Sequence, residues 1–345
     1  MSPEILIASH LEAAHVQRIE AAFPSIRIHW EMDLVAVPRY AADHTGAPFR
    51  RTPEAEARWR ALLARADILF DFDRTHADDL PELAPGLRWI QATSAGIGAI
   101  MTRYRYAERM PQCVFTTASG VHAIPLAEFC MMAMLAHSRN LSLMLRDQAA
   151  RRWERFAATD LADRTLAIIG MGTIGRELAR RAAHSGMNVL GIKRRIKGVA
   201  PSDLHLHALF GPADLAAVLP RLDYLVLAAP ETSATRRLIG ARELRLLPRG
   251  AFLINVGRGS LVDEAALVEA LRTGHLSGAA LDVFETEPLP ADSPLWSMPG
   301  VIISPHSAST SDRENGRITG LFCENLDRFL HGTPLRNVYD PARGY

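Results

Sequence analysis

The chain has 345 residues, of which 48% are hydrophobic and 22% are charged. This length is sufficient for two globular domains with a sizeable core, and the composition argues against disorder. The formal net charge of +1 gives no general attraction to nucleic acids or anionic membranes, so any partner has to be recognised locally.

Neither secretion nor membrane insertion is indicated by the sequence. Residues 1–4 carry no basic cluster and no long apolar run follows them, so we expect no signal peptide. The most apolar stretch, residues 129–145, is interrupted by polar residues from His137 to Asn140 and is too short to span a bilayer. The three cysteines are widely spaced, which is typical of buried thiols rather than of a disulfide framework or a metal site. We therefore expect a cytoplasmic protein without a bound metal.

The first third of the chain alternates short apolar strands with helical patterns. Strands are predicted at residues 4–9, 26–30, 67–72, 87–91 and 113–117, and helices at residues 11–23 and 54–65. This alternation predicts a parallel sheet with right-handed crossovers. Residues 32–53 form an irregular connection that is long for an α/β protein, and they are either a functional loop or an embellishment.

A second alternation follows a long apolar helix that is predicted at residues 125–146. Its strands are expected at residues 166–169, 188–192, 222–228, 251–256, 279–283 and 301–304, with helices between most of them. This is the pattern of a complete doubly wound α/β domain. A further helix is predicted at residues 312–330.

A glycine-rich turn separates the first strand of the second part from a helical pattern, with glycines at Gly170, Gly172 and Gly175. In this context Gly-x-Gly-x-x-Gly is a dinucleotide-binding fingerprint. Its first glycine permits the tight turn, the second lets the backbone approach a pyrophosphate, and the third lets the helix pack closely on its strand. The free N–H groups at the helix start favour the phosphates. The alternative is a glycine-rich turn in another kind of α/β domain.

Three side chains suited to chemistry follow the last three of these strands. Arg258 stands between two glycines after the fourth strand, Glu287 is the last of three acids after the fifth, and His306 follows the sixth. Because the carboxyl ends of parallel strands share one edge, we expect the three to converge on one cleft. Taken singly, each has a simpler interpretation, as a surface salt-bridge partner, a solvated loop acid and a structural histidine respectively.

The stretch after the second of these strands is strongly basic. Residues 193–197, Lys-Arg-Arg-Ile-Lys, contain both lysines of the chain and no acid. An NAD-preferring domain usually carries Asp or Glu about 20 residues beyond the glycines, where the carboxylate binds the ribose hydroxyls. Arg194 and Arg195 instead suit a 2′-phosphate, which a carboxylate would repel. The sequence therefore favours NADP, with NAD possible, and the alternative is an ordinary solvated basic loop.

Taken together, these motifs resemble the family of D-isomer-specific 2-hydroxyacid dehydrogenases. The likeness is carried by the fingerprint, by Gly257-Arg258-Gly259, by the segment from Leu281 to Pro288, by Pro305-His306 with Ala308-Ser309, and by Ser94-Ala95-Gly96-Ile97 and Ala127-Glu128. It implies a Rossmann dinucleotide-binding domain inserted into a discontinuous flavodoxin-like substrate domain, with the catalytic cleft between them. The boundaries are expected at 1–118 and 310–345 for the substrate domain and at 119–309 for the dinucleotide-binding domain.

The resemblance also implies roles for individual residues. Arg258 would bind the carboxylate and keto oxygen of the substrate, His306 would exchange a proton, and Glu287 would orient and tune His306. The backbone of Ala95, Gly96 and Ile97 would hold the carboxylate from the other domain. The long apolar helix would belong to a homodimer interface, the alternative being burial within one chain. The predicted cofactor contacts are Gly170, Met171, Gly172, Thr173, Ile174, Gly175, Arg194, Arg195, Ala229, Pro230, Val256, Gly257 and Asp282.

The sequence therefore predicts an NAD(P)-dependent oxidoreductase. It would interconvert a small 2-keto acid, such as glyoxylate or hydroxypyruvate, and its D-2-hydroxy acid, and would favour reduction with NADPH. Histidine, with an ordinary pKa of about 6.5, suits proton exchange near neutrality. A second interpretation keeps the hydride chemistry and changes the substrate. A third is a non-catalytic dinucleotide-sensing protein of the corepressor kind, which would not need Arg258, Glu287 and His306 together.

Overall fold

The computed structural model of the protein describes residues 2–342, which form two compact units. One unit contains the residues up to His122 together with those from Thr310 onward, and the other spans Ala123–Ser309. The second unit is thus a continuous segment inserted into a discontinuous first one. The division after His122 coincides with the start of the first helix of the second unit at Ala123.

Strands and helices alternate along most of the described chain. The strands are β1 (Glu4–Ile7), β2 (Arg27–His29), β3 (Ile68–Phe70), β4 (Trp89–Gln91), β5 (Val114–Thr116), β6 (Thr165–Ile169), β7 (Asn188–Ile192), β8 (Ala208–Phe210), β9 (Tyr224–Leu227), β10 (Ala251–Asn255), β11 (Leu276–Leu281) and β12 (Val301–Ile303). The helices are α1 (Ala13–Ala22), α2 (Pro53–Leu63), α3 (Leu80–Leu83), α4 (Gly98–Tyr104), α5 (Tyr106–Arg109), α6 (Ala123–Ser138), α7 (Leu141–Ala149), α8 (Thr173–His184), α9 (Leu215–Val218), α10 (Ala241–Leu246), α11 (Glu264–Arg272) and α12 (Glu314–Leu330).

The first unit is built on a five-stranded parallel sheet in the order β2-β1-β3-β4-β5. This is the flavodoxin-like order, and it confirms the fold expected for this part of the chain. The register pairs Ile7 with Phe70 and Phe70 with Gln91, so β1, β3 and β4 end level with one another. The residues that follow these three strands therefore share one edge of the sheet.

Helix α12 completes the first unit. Its apolar face, with Ile318, Phe322 and Leu326, lies in one buried cluster with residues of β1, β3 and β4. The Phe322 ring stacks on Trp89 at 5.1 Å between centroids and meets the edge of Phe70 at 5.2 Å. A segment from the end of the chain thus covers a sheet laid down at its beginning, which is what makes the unit discontinuous.

The second unit contains a seven-stranded parallel sheet in the order β12-β11-β10-β9-β6-β7-β8. Alternate residues of its strands point to opposite faces, so two cores form. In β6, for example, Ala167 and Ile169 belong to one buried cluster, and Leu166 and Ile168 belong to the other. Sequential strands that run outward in both directions from β6 make this a doubly wound fold, as predicted.

Two details of the prediction are wrong. Strand β8 was not expected; it has three half-buried residues and pairs at the edge with β7, and such a short run gives little periodicity. The single long helix predicted at 125–146 is two helices, α6 and α7. The break falls at Asn140, which adopts the left-handed conformation with φ of 54°. Asparagine tolerates that conformation better than most residues do.

No helix within residues 2–342 is long and apolar enough to cross a membrane. Two of the three cysteines, Cys113 and Cys130, are buried, and Cys323 is half-buried. Burial raises the pKa of the Cys113 thiol to about 12 and also raises the pKa of Cys130. All three are free thiols. Their surroundings fit the packing role expected from their spacing.

Phe322→Ala should lower the free energy of unfolding of the first unit by about 3–5 kcal/mol, because it removes a fully buried ring and leaves a cavity. Urea titration followed by tryptophan fluorescence, to which the adjacent Trp89 contributes, measures the change. Leu330→Ala, at an exposed position on the same helix, is the control and should shift stability by about 0.5 kcal/mol or less. Equal effects of the two substitutions would contradict this assignment of the core.

Candidate active site

Two of the fingerprint glycines are required by the packing of the chain itself. Gly170 follows β6 with φ of +104°, and a Cβ there would lie 2.6 Å from the backbone of Ala228. A Cβ at Gly175 would lie 2.1 Å from the carbonyl oxygen of Gly170. The tight turn and the close approach of α8 to β6 thus both depend on the absence of a side chain.

Gly172 is different. It is exposed, its φ of −79° suits any residue, and a Cβ there would meet no atom within 4 Å. Gly172 is the N-cap of α8, so the open space beside it lies at the start of that helix. The first N–H groups of a helix lack partners within the helix and favour a phosphate. Open space at this place fits a dinucleotide pyrophosphate, whereas the fold alone gives no reason for glycine.

The basic stretch lies level with the fingerprint. Strand β7 pairs with β6, Ile192 is opposite Ile169, and the N–H of Gly170 donates to the carbonyl of Ile192 at 3.0 Å. Lys193 follows the strand and is half-buried, and the side chains of Arg194, Arg195 and Lys197 are exposed. These cations therefore stand at the same sheet edge as the turn that carries Gly172.

The other predicted cofactor contacts follow the neighbouring strands at this edge. Met171 and Val256 are buried, Thr173 and Pro230 are exposed, and Ile174 is half-buried. Ala229 and Gly257 come close together, since a Cβ on Gly257 would lie 2.8 Å from the carbonyl oxygen of Ala229. The loops after β9 and β10 are thus packed against each other. Cofactor contact at each of these positions stays a prediction.

Asn255 shapes the turn that presents Arg258. Its side chain is 1% exposed; Oδ1 accepts the N–H of Gly257 at 3.1 Å, and Nδ2 donates to the carbonyl of Arg258 at 2.9 Å. Gly259 then passes so close to the next loop that a Cβ there would lie 1.9 Å from the carbonyl oxygen of Phe284. The two contacts hold Arg258 at the end of β10 and bring its loop against the loop after β11.

Glu287 and His306 form a direct pair. The Nδ1 atom of His306 lies 2.8 Å from Oε2 of Glu287, and both side chains are partly exposed. The other carboxylate oxygen, Oε1, accepts the backbone N–H of Phe284 at 3.0 Å. The carboxylate is thereby anchored to its own loop while it faces the imidazole. A carboxylate at Nδ1 favours the form with a proton on that nitrogen, which leaves Nε2 as the ring atom for exchange.

Asp282 connects the loops after β11 and β12. Its carboxyl is 2% exposed and accepts the hydroxyl of Ser304 at 2.6 Å and the N–H of Ala308 at 2.9 Å. Its carbonyl accepts the N–H of His306 at 3.0 Å. Burial raises the pKa of the Asp282 carboxyl, and the hydrogen bonds from Ser304 and Ala308 oppose that rise. The predicted cofactor contact by Asp282 stays a prediction; the carboxyl observed here bonds within the chain.

The three predicted catalytic side chains lie in the loops that follow three adjacent strands. Arg258, Glu287 and His306 follow β10, β11 and β12, which are neighbours in the sheet and end in register. Sequence reasoning had not singled out Asn255 or Ser304. The signal that could have identified them is an amide or hydroxyl side chain at the end of a buried strand, because a buried polar group needs a hydrogen-bond partner. The arrangement can bind an anion at Arg258 and deliver or accept a proton at His306.

The predicted carboxylate contacts belong to the first unit. Ala95 and Gly96 are exposed in the loop after β4, and Ile97 is buried directly before α4. The loop is anchored by its neighbour Ser94, whose carbonyl accepts the N–H of Ala118 at 3.0 Å. Among residues 2–342, no group of three or more His, Cys, Asp or Glu side chains is arranged to hold a metal ion.

A doubly wound sheet with this fingerprint defines the class of dinucleotide-binding domains. Residues 131–308 match the NAD binding domain of the D-isomer specific 2-hydroxyacid dehydrogenases. A Haemophilus influenzae protein described as a 2-hydroxyacid dehydrogenase is 33% identical over 312 residues, which cover 86% of this chain and 94% of that protein. The chain belongs to the D-isomer specific 2-hydroxyacid dehydrogenase family.

Solved structures agree with this membership. A D-isomer specific 2-hydroxyacid dehydrogenase family protein from Aeromonas salmonicida is 31% identical, with a TM-score of 0.80 and coverage of 99% of each chain. An NADPH-dependent glyoxylate/hydroxypyruvate reductase from Sinorhizobium meliloti, in complex with NADP and sulfate, is 28% identical with a TM-score of 0.78 and covers 100% of each chain.

Gly172→Ala should leave the thermal unfolding midpoint unchanged but weaken dinucleotide binding, because its Cβ meets open space in the protein and intrudes only on a bound pyrophosphate. Gly175→Ala is the contrasting variant. Its Cβ meets the Gly170 carbonyl, so the midpoint itself should fall. Differential scanning fluorimetry and a fluorescence titration with NADPH measure the two effects. Undiminished NADPH affinity in Gly172→Ala would contradict this placement of the pyrophosphate.

Proposed function

We propose that this protein reduces small 2-keto acids to D-2-hydroxy acids with NADPH. The observation that carries the proposal is the 2.8 Å contact between His306 and Glu287 at the same sheet edge as Arg258. Family membership supplies the reaction class, and the cofactor when bound supplies the hydride. Glyoxylate and hydroxypyruvate are the first candidates, because the Sinorhizobium meliloti relative is named for those two acids.

The chain's own residues then account for the proton and the charge. His306 gives a proton from Nε2 to the keto oxygen as negative charge develops there, and takes it back in the oxidation direction. Glu287 holds the ring through Nδ1, so that Nε2 is the nitrogen that faces the substrate. Arg258 binds the substrate and stabilises the developing charge without losing its own proton. Because Glu287 also bonds the backbone N–H of Phe284, it acts as a positioning residue.

We further propose that the first unit binds the substrate and that the second binds the cofactor. In this proposal the backbone N–H groups of Ala95, Gly96 and Ile97 take the substrate carboxylate. The exposure of Ala95 and Gly96 after β4 supports the idea, since ligands of open α/β sheets bind beyond the carboxyl ends of the strands. The domain boundaries expected at 118/119 and 309/310 are part of the same proposal.

The preference for NADPH rests on Arg194 and Arg195. Both are exposed at the end of β7, level with the fingerprint, and residues 193–200 contain no carboxylate that would repel a 2′-phosphate. Solved relatives with NADPH or NADP include a Xanthobacter autotrophicus enzyme and the Sinorhizobium meliloti reductase. NADH stays a possible weaker donor. A non-catalytic sensor is not favoured, because the Glu287–His306 pair is intact.

Two finer expectations also stay proposals, namely a cytoplasmic location and a homodimer. Helices α6 and α7 expose Met132, Leu135, Leu141, Met144 and Leu145, each with 40% or more of its surface accessible. Apolar side chains grouped in this way are typical of a surface that is covered by a partner. A second copy of the chain is the partner that the family resemblance implies.

The reductase proposal is tested by a steady-state screen of 2-keto acids with NADPH. His306→Ala should lower turnover by a factor of about 10²–10⁴, because it removes the proton donor, while NADPH affinity is largely kept. His331→Ala, at an exposed histidine outside the site, is the matched control and should behave as wild type. Wild-type turnover in His306→Ala would refute the assignment, and turnover of no 2-keto acid would refute the function.

Replacing Arg194 and Arg195 together by Gln should raise the KM for NADPH by at least about tenfold, because bonds to a charged phosphate contribute roughly 1.5–3 kcal/mol each. The KM for NADH should hardly move. The double variant of Arg242 and Arg245, which are exposed on α10, controls for the loss of two charges. If the Arg194 and Arg195 double variant keeps its NADPH preference, the basic stretch is only a solvated loop.

A further inference from the structure

The segment that follows α12 returns to the sheet of the first unit and covers its open side. Strand β5 is the last in the sheet order, so one of its sides has no neighbouring strand. Val338 forms an antiparallel bridge with Thr116, and the N–H of Tyr339 donates to the carbonyl of Phe115 at 2.8 Å. Residues 334–340, called the edge segment below, therefore pair with β5 where the sheet would otherwise end.

A buried amide on α12 anchors the edge segment. The Oδ1 atom of Asn325 accepts the N–H of Arg336 at 2.8 Å, and Nδ2 donates to the carbonyl of Arg336 at 3.2 Å and to Oε1 of Gln91 at 3.0 Å. Gln91, the last residue of β4, also accepts the hydroxyl of Thr116 at 2.9 Å. Both amides are fully buried, so each depends on these partners. The edge segment is thus fixed to the ends of β4 and β5.

Asn337 joins the edge segment to the loop after β5. Its Nδ2 atom donates to the carbonyl of Ser119 at 2.8 Å and to the carbonyl of Thr117 at 3.3 Å, and its own carbonyl accepts the N–H of Thr117 at 2.9 Å. Asn337 is half-buried and adopts the left-handed conformation with φ of 56°, which asparagine tolerates better than most residues do. One side chain thus bonds two backbone carbonyls of the same loop.

The loop after β5 in turn holds the loop after β4. Ala118 lies between the two residues that Asn337 contacts, is fully buried, and donates its N–H to the carbonyl of Ser94 at 3.0 Å. Ser94 directly precedes Ala95 and Gly96, which are exposed. A continuous series of hydrogen bonds and peptide links therefore runs from Asn337 to the backbone N–H groups that the proposed function assigns to the substrate carboxylate.

We propose that Asn337 is a positioning residue for the substrate carboxylate. By holding the loop after β5, it fixes the loop after β4 in the shape that presents the N–H groups of Ala95, Gly96 and Ile97 to the carboxylate. The inference rests on the proposed function, and Asn337 itself does not touch the substrate. The carboxylate is bound alike in the ground state and in the transition state, so a loosened loop weakens substrate binding without slowing the chemical step.

Asn337→Gly tests the proposal, because glycine keeps the left-handed backbone and removes only the amide. The KM for glyoxylate and for hydroxypyruvate should rise about three- to tenfold, the effect of about one hydrogen bond, while kcat and the Kd for NADPH stay within about twofold of wild type. Asn337→Asp keeps the size of the side chain, replaces its donors by acceptors, and should raise KM at least as much. The control is Asn140→Gly, at another left-handed asparagine whose side chain makes no capping hydrogen bond, and it should keep the wild-type KM.

Amide hydrogen exchange, followed by mass spectrometry, tests the link between the loops without any substrate. In Asn337→Gly, exchange should become faster in residues 92–98 and 117–121 and stay as in wild type in β1. Unchanged exchange in residues 92–98, or equal acceleration in β1, would overturn the proposal, as would an unchanged KM or a fall in kcat alone. If wild type reduces no 2-keto acid, the proposed function fails, and exchange in residues 92–98 alone then decides whether Asn337 holds the loop after β4.

Discussion

The hydrogen bonds of Asp282 hold the catalytic edge of the second unit together. A carboxyl that is 2% exposed joins the end of β11 to the loop after β12 through Ser304 and Ala308. The Asp282 carbonyl fixes the backbone of His306 itself, which adopts φ of 54°. Leaving such buried donors unpaired would cost about 1–3 kcal/mol each. The position of the imidazole therefore depends on a residue that need not touch the substrate.

A series of contacts links the loops that follow three neighbouring strands, β10, β11 and β12. Gly259 brings the Arg258 loop against Phe284, the N–H of Phe284 bonds Glu287, and Glu287 bonds His306. A shift in any of these loops is thus transmitted to the proton-exchanging group. In the first unit the corresponding edge is built by the level ends of β1, β3 and β4. The irregular 32–53 connection contacts this edge where Nδ1 of His44 lies 2.9 Å from the hydroxyl of Ser9. Each unit thus presents polar groups at the carboxyl ends of its parallel strands.

The sequence predicted the structure best at positions where the backbone geometry admits only one residue type. Gly170 and Gly175 mark a turn and a close approach that admit no side chain, and the structure shows both. The order of motifs identified the family, and the alternation of strands and helices identified both sheets. The catalytic roles of Arg258, Glu287 and His306 remain proposals, although the structure does place Glu287 against His306.

What the sequence did not reveal depends on tertiary contacts. Strand β8 has only three residues and is recognisable only through its pairing with β7. The break between α6 and α7 turns on one residue, Asn140, in a run that otherwise reads as helix. The 32–53 connection has no periodicity. Its local shape depends on five hydrogen bonds that Asp43 accepts from Arg39, Thr45 and Gly46, and its place beside β1 depends on the contact between His44 and Ser9. Asn255 and Ser304 acquire their roles only once the loops around them are in position.

In the proposed reaction the bound cofactor supplies hydride to one face of the keto carbon and His306 gives a proton to the keto oxygen, so that the D isomer forms. The most direct measurement is the configuration of the product when purified protein reduces a prochiral 2-keto acid, such as hydroxypyruvate, with NADPH. Chiral chromatography of the product should give the D-2-hydroxy acid alone, at a rate that falls when NADH replaces NADPH. Formation of the L isomer or of a racemate would contradict the account.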